Sequence, residues 1–101
     1  MVRRTKYKFD MKKVAVIGAG PSGITAIKNF KDQGFEVVAF ERCSGGGGNW
    51  RYNDPSGHSS VFETTHIISS KYTSYYEDFP LPENASDYPS HKELLEYFQA
   101  Y

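Results

Sequence analysis

The chemistry in this chain starts at a run of spaced glycines. Gly18-Ala19-Gly20-Pro21-Ser22-Gly23 has the spacing G-x-G-x-x-G. Glycine at the first position permits a tight turn. At the second it leaves the backbone bare for a diphosphate, and at the third it lets a following helix lie close to the preceding strand. A helix starting here presents unpaired N–H groups and the positive end of its dipole to that anion. Glu41 follows about twenty residues later, where a carboxylate accepts hydrogen bonds from ribose hydroxyls and repels a 2′-phosphate. Turn and carboxylate together point to an adenine dinucleotide, FAD or NAD rather than NADP. The competing reading is a turn with no ligand and an ordinary exposed glutamate.

This chemistry needs a strand, a helix and a second strand in the right order. Lys12 to Ile17 reads as the first strand, because Val14 to Ile17 is a continuous apolar run of the kind buried on both faces. Ser22 to Gln33 reads as a helix, with Ile24, Ile27 and Phe30 at helical spacing and Gly34 placed for a left-handed cap. Glu36 to Glu41 reads as the second strand. The result is a βαβ unit with parallel strands and a right-handed connection. Arg42 to Gly57 is a loop by composition, with four consecutive glycines from Gly45 to Gly48. Ser59 to Tyr76 fits a short helix, extended chain or both. Phe79-Pro80-Leu81-Pro82 continues neither a helix nor a central strand. A last helix is expected near Ser90, which has capping-box spacing to Glu93, with Leu94, Phe98 and Tyr101 on one face.

The fold class is therefore α/β, the Rossmann-like βαβ start of a doubly wound parallel sheet, and incomplete. Two parallel strands do not make a sheet covered on both faces. Residues 12–101 are expected to be the N-terminal part of a longer domain that does not fold cooperatively alone, and residues 1–11 a disordered leader. Twelve basic and twelve acidic side chains balance to zero, which disfavours a nucleic-acid binder held by phosphate contacts. An aromatic content of 16% indicates a globular chain. The single cysteine, Cys43, has no disulfide partner, so nothing points to an oxidising compartment and a cytoplasmic location is expected. No apolar run approaches the ~20 residues that span a bilayer. His58, His66 and His91 lack metal-ligand spacing, so no metal is expected. Tyr72, Tyr75, Tyr76, Phe79 and Tyr88 read as packing against the sheet or against a further domain, since acidic neighbours argue against base stacking.

Several motifs resemble the start of flavin-containing monooxygenases. They are Gly18 to Gly23, Phe40-Glu41-Arg42, Gly47-Gly48-Asn49-Trp50, Ser60-Val61-Phe62, Ser69-Ser70-Lys71, Asp78-Phe79-Pro80-Leu81-Pro82 and Leu94-Leu95-Glu96-Tyr97-Phe98. The resemblance runs from about Lys12 to the end of the chain. Its G-G-x-W and D-F-P-x-P steps are shared with relatives that include Baeyer–Villiger monooxygenases. By residue type alone, Gly47, Gly48 and Trp50 fit either a second backbone approach to the cofactor or a glycine linker with a core tryptophan. The resemblance implies the first. It makes Gly18, Ala19, Gly20, Pro21, Ser22, Gly23, Glu41, Arg42, Gly48, Asn49, Trp50 and Ser69 candidate contacts to FAD.

The resemblance further implies that NADPH, bound by a second domain outside this chain, reduces FAD. The flavin then takes up dioxygen as a hydroperoxide and oxygenates a small molecule at a soft nitrogen or sulfur. The flavin carries that chemistry, so no side chain is named as an acid or base. One position departs from the pattern: Ile68 stands where the family often has an asparagine near the flavin, and isoleucine makes no hydrogen bond there. Either the chain belongs to a subgroup with a different arrangement there, or the oxygenating step is altered, with more leakage of hydrogen peroxide as the expected result. Three rival readings remain: a flavin disulfide reductase, which needs a cysteine pair where this chain has Asn49-Trp50; an NAD-only dehydrogenase; and a non-catalytic truncated fragment.

Overall fold

A computed structural model describes residues 12–58 and 60–101; the expected leader, residues 1–11, lies outside them. The elements follow in the order β1 (Lys13–Ile17), α1 (Pro21–Asp32), β2 (Glu36–Phe40), a 3-10 turn (Gly48–Trp50) and α2 (His91–Ala100). β1 and β2 pair in parallel, from Lys13 opposite Glu36 to Ile17 opposite Phe40. The Lys13 ammonium and Glu36 carboxylate, 3.3 Å apart, mark the open end of that register.

α1 begins at Pro21, one residue earlier than the sequence pattern suggests. Proline suits a first helical position because its φ is already helical and its missing N–H would have no partner there. The helix ends in a Schellman arrangement. Gly34 sits at φ 90°, its N–H donates to the Lys31 carbonyl, and the Phe35 N–H reaches back to Phe30. The Phe30 and Phe35 rings meet edge to face across that cap, the contact the motif favours.

The strands were expected to be buried on both faces. In the described residues one face is covered: Val16 lies under α1, while Ile17 is 80% exposed and Val38 and Phe40 also face solvent. The buried cluster sits elsewhere, on α2. Leu94, Tyr97 and Phe98 are buried, and Ile24, Trp50, Ile67, Tyr76, Phe79 and Leu81 pack against them. Burying an apolar side chain of this size contributes roughly 1.5–3 kcal/mol. The stripe foreseen on this helix is corrected by this packing: Tyr97 and His91 are buried with Leu94 and Phe98, whereas Tyr101 is half-buried at the edge, its ring 4.2 Å from that of Tyr76.

A capping box starts α2, with the Ser90 hydroxyl accepting from the Glu93 N–H and the Glu93 carboxylate accepting from Ser90. Between residues 60 and 90 the described chain forms turns, with isolated bridges from His66 to Ser90 and from Tyr76 to Phe79. Tyr76 and Phe79 pack on α2 rather than on the sheet, and Tyr72, Tyr75 and Tyr88 are exposed. A chain of tyrosines ties this region to the glycine turn. The Tyr97 hydroxyl donates to the Phe79 carbonyl and accepts from the Tyr76 N–H, and the Tyr76 hydroxyl donates to the Pro21 carbonyl at 2.6 Å.

Candidate dinucleotide-binding turn

The turn between β1 and α1 is shaped by two glycines and left open by a third. Gly18 has φ 94°, and its N–H donates to the Phe40 carbonyl at 2.7 Å, joining the ends of the two strands. A Cβ on Gly23 would lie 2.0 Å from the Gly18 carbonyl oxygen, so the helix can approach the strand only with hydrogen there. Gly20 is different. Its φ of −74° suits any residue, and a Cβ there would find its nearest contact 3.6 Å away, at the Gly48 Cα. The fold does not need glycine at this position, and a side chain there would stand beside the Gly48 backbone. No side chain caps that helix, and among the described residues the amides of Gly20, Ser22 and Gly23 meet no acceptor. Unpaired amides at a helix start suit an anion. An FAD diphosphate fits this cradle.

Glu41 turns toward the same place. One carboxylate oxygen accepts the Ala19 N–H at 2.6 Å and the other accepts the Cys43 N–H at 2.7 Å. The Cys43 amide, followed by that of Ala19, holds this carboxyl below the usual glutamate range, so it is ionised at neutral pH. Cys43 thus contributes through its backbone, while its thiol lies 3.3 Å from the Ser56 hydroxyl.

The second glycine segment lies against the first. The Gly47 N–H donates to the Ala19 carbonyl at 2.8 Å, and a Cβ on Gly48 would lie 2.9 Å from the Gly20 Cα. The structure therefore brings together Gly18, Ala19, Gly20, Pro21, Ser22, Gly23, Glu41 and Gly48. Arg42 and Asn49 are exposed. Trp50 is half-buried and packs on the Leu94, Tyr97 and Phe98 cluster. Ser69 shares a hydrogen bond with the Ser74 hydroxyl, and among the described residues none ties it to the turn. Ile68, at the departing position, is 97% exposed.

Sequence reasoning missed a polar network behind the second glycine segment. The Asp54 side chain is 1% exposed. It accepts the hydroxyl and N–H of Ser44, the N–H of Ser56 at 3.0 Å and the Arg51 Nε at 3.1 Å. These donors, the Ser44 hydroxyl foremost, hold its carboxyl far below the usual range. The available signal was the Asp54-Pro55-Ser56-Gly57 stretch, which has aspartate, proline and glycine where a tight turn favours them.

A parallel βαβ unit with this glycine turn is the Rossmann-like start of a dinucleotide-binding domain. The family model described as flavin-binding monooxygenase-like matches residues 11–101, and the chain belongs to that family. Dimethylaniline monooxygenase [N-oxide-forming] 2 of Rattus norvegicus is 41% identical over 93 residues, covering 90% of this chain and 17% of its own length. Among solved structures, an S-allyl-L-cysteine S-oxygenase from Allium sativum superposes with a TM-score of 0.76 at 25% identity, over 90% of this chain and 25% of its own. An oxidised steroid monooxygenase bound to NADP superposes with a TM-score of 0.67 at 31% identity, over 85% of this chain and 16% of its own. The chain thus spans about a sixth of the curated relative it matches. Among the described residues no helix is long and apolar enough to cross a membrane.

Proposed function

We propose that residues 12–101 form the N-terminal, FAD-binding part of an NADPH-dependent monooxygenase that oxygenates soft nitrogen or sulfur nucleophiles. The observation that carries this reading is Gly20: the backbone does not require glycine there, and it opens a helix whose Gly20, Ser22 and Gly23 amides meet no acceptor among the described residues. Gly18 to Gly23 would hold the diphosphate, and Glu41 would hold the ribose once its hydroxyls join the two amides already bound. Gly48 would let the second glycine segment lie along the cofactor, with Arg42, Asn49, Trp50 and Ser69 as outer contacts. When bound, the flavin supplies the electron transfer and oxygen activation; these residues grip, orient and shield it. The relatives' names support the substrate class, one forming an N-oxide and one oxygenating sulfur, and the NADP-bound neighbour supports NADPH as reductant. A lone cysteine without a disulfide partner in the chain supports a cytoplasmic location.

The test uses the full-length protein. It should be yellow, take up FAD in a saturable titration, and bleach when NADPH is added without oxygen. With air restored, a tertiary amine or a thioether should yield its oxide. With Ile68 in place, a larger share of the NADPH consumed should end as hydrogen peroxide than in an asparagine-bearing relative. A colourless protein that takes up no FAD would end the flavoprotein reading.

A further inference from the structure

Four consecutive glycines are a poor way to hold a shape. Glycine loses more backbone freedom on ordering than any other residue, so a run of them stays in one conformation only when something outside it intervenes. Here Gly47 sits at φ 121° and Gly48 at φ 58°, and both lie against fixed neighbours, the Leu95 side chain and the Gly20 backbone. The Gly47 N–H on the Ala19 carbonyl holds one point of the run, and the Arg51 guanidinium holds the rest. Its Nη1 donates to the Gly46 carbonyl at 3.0 Å, its Nη2 to the Ser44 hydroxyl at 2.8 Å, and its Nε to Asp54. It also occupies the space a Gly45 side chain would need, since a Cβ there would lie 2.8 Å from Nη1. One planar fork thus grips the run before it, within it and along its flank. Asp54, held by Ser44, Ser56 and Arg51, fixes the fork in turn.

We propose that Arg51 and Asp54 form a staple that shapes Gly45 to Gly48 before the cofactor arrives, which makes both of them positioning residues for FAD. This rests on the FAD-binding reading above and adds a determinant to it. Without the staple, ordering the run would fall on binding itself and weaken it. A lysine in place of Arg51 keeps the charge and loses the fork; an asparagine in place of Asp54 keeps the shape but turns an amide group toward donors.

The experiment uses the full-length protein with its FAD removed, as wild type, Asp54→Asn and Arg51→Lys. Each is titrated with FAD by flavin fluorescence, and amide hydrogen exchange is followed in the ligand-free protein. Both variants should bind FAD about tenfold or more weakly. Exchange should quicken at Gly47 and stay unchanged at Gly18, the hydrogen-bonded amides of the two segments. In Arg51→Ala, millimolar guanidinium should restore part of the affinity, which general destabilisation would not allow. If wild type binds FAD and both variants match it, or if exchange quickens evenly along the chain, the staple is overturned. If Asp54→Asn does not fold, Arg51→Lys and the guanidinium rescue decide the matter. A wild type that takes up no FAD overturns the flavoprotein reading, and the staple's role toward FAD falls with it.

Discussion

The two glycine segments reach the same place by opposite means. Gly18 to Gly23 is shaped through backbone contacts: the Gly18 N–H on the Phe40 carbonyl of β2, a helix that starts on Pro21, and a contact at Gly23 that excludes any side chain. Gly45 to Gly48 is shaped from outside, by the Arg51 fork, the buried Asp54 and Leu95 on α2. A turn that carries its own instructions needs a few residues in a row. A run without side chains of its own borrows them from positions further along the chain, and so depends on whatever holds those positions.

The largest effect should fall at Gly23. In Gly23→Ala the new methyl would overlap the Gly18 carbonyl, which is backbone and gives way only by moving strand or helix. Overpacking of this kind costs about 1–3 kcal/mol and sometimes more. Full-length Gly23→Ala should show a lower denaturation midpoint in urea and a deficit of bound flavin together. Gly20→Ala should separate the two. Its methyl meets nothing nearer than 3.6 Å, so the denaturation midpoint of the ligand-free protein should match wild type. FAD affinity should fall about tenfold or more, because the cradle is filled. Equal losses of stability in both variants would erase the distinction between a glycine that shapes the turn and one that clears it.

The same contrast explains how much could be read in advance. The βαβ order, the turn, Glu41, the Gly34 cap and the Ser90–Glu93 box are local patterns, and each lies within a residue or two of its expected place. The long-range features were not legible. Nothing in the spacing tells that Asp54 is buried under four donors, that Tyr76 reaches Pro21, or that Tyr97 joins Leu94 and Phe98 in the core. Trp50 shows the boundary well. Its type suits a flavin wall or a core residue, and the structure packs it on the α2 cluster, a fact set by Leu94, Tyr97 and Phe98 some forty-five residues later. The apolar strands make a related point: such a run reports that both faces can be buried, while what covers the second face is not among the described residues.

The smallest effect tests whether the second segment really depends on α2. Leu95 stands on that helix, and a Cβ on Gly47 would lie 2.4 Å from its Cδ1, so loop and helix are in register. The start of α2 is held by Glu93, whose carboxylate takes the N–H groups of Ser86 and Ser90 at 2.8 and 2.9 Å. Those amides, Ser86 first, lower its carboxyl from an ordinary value of 4.5 to about 2. A carboxyl with a depressed folded value contributes stability that is complete above 4.5 and is lost as pH falls toward about 2. In the ligand-free full-length protein, amide exchange corrected for its intrinsic pH dependence should therefore quicken at α2 and at Gly47 across that window, ahead of Gly18. Glu93→Gln should lose about 1 kcal/mol at neutral pH, as a weakened cap does, and flatten the acid limb. If both glycine segments loosen together as the pH drops, the second is no more dependent on the helix than the first, and the division between a turn that shapes itself and a run that is shaped fails.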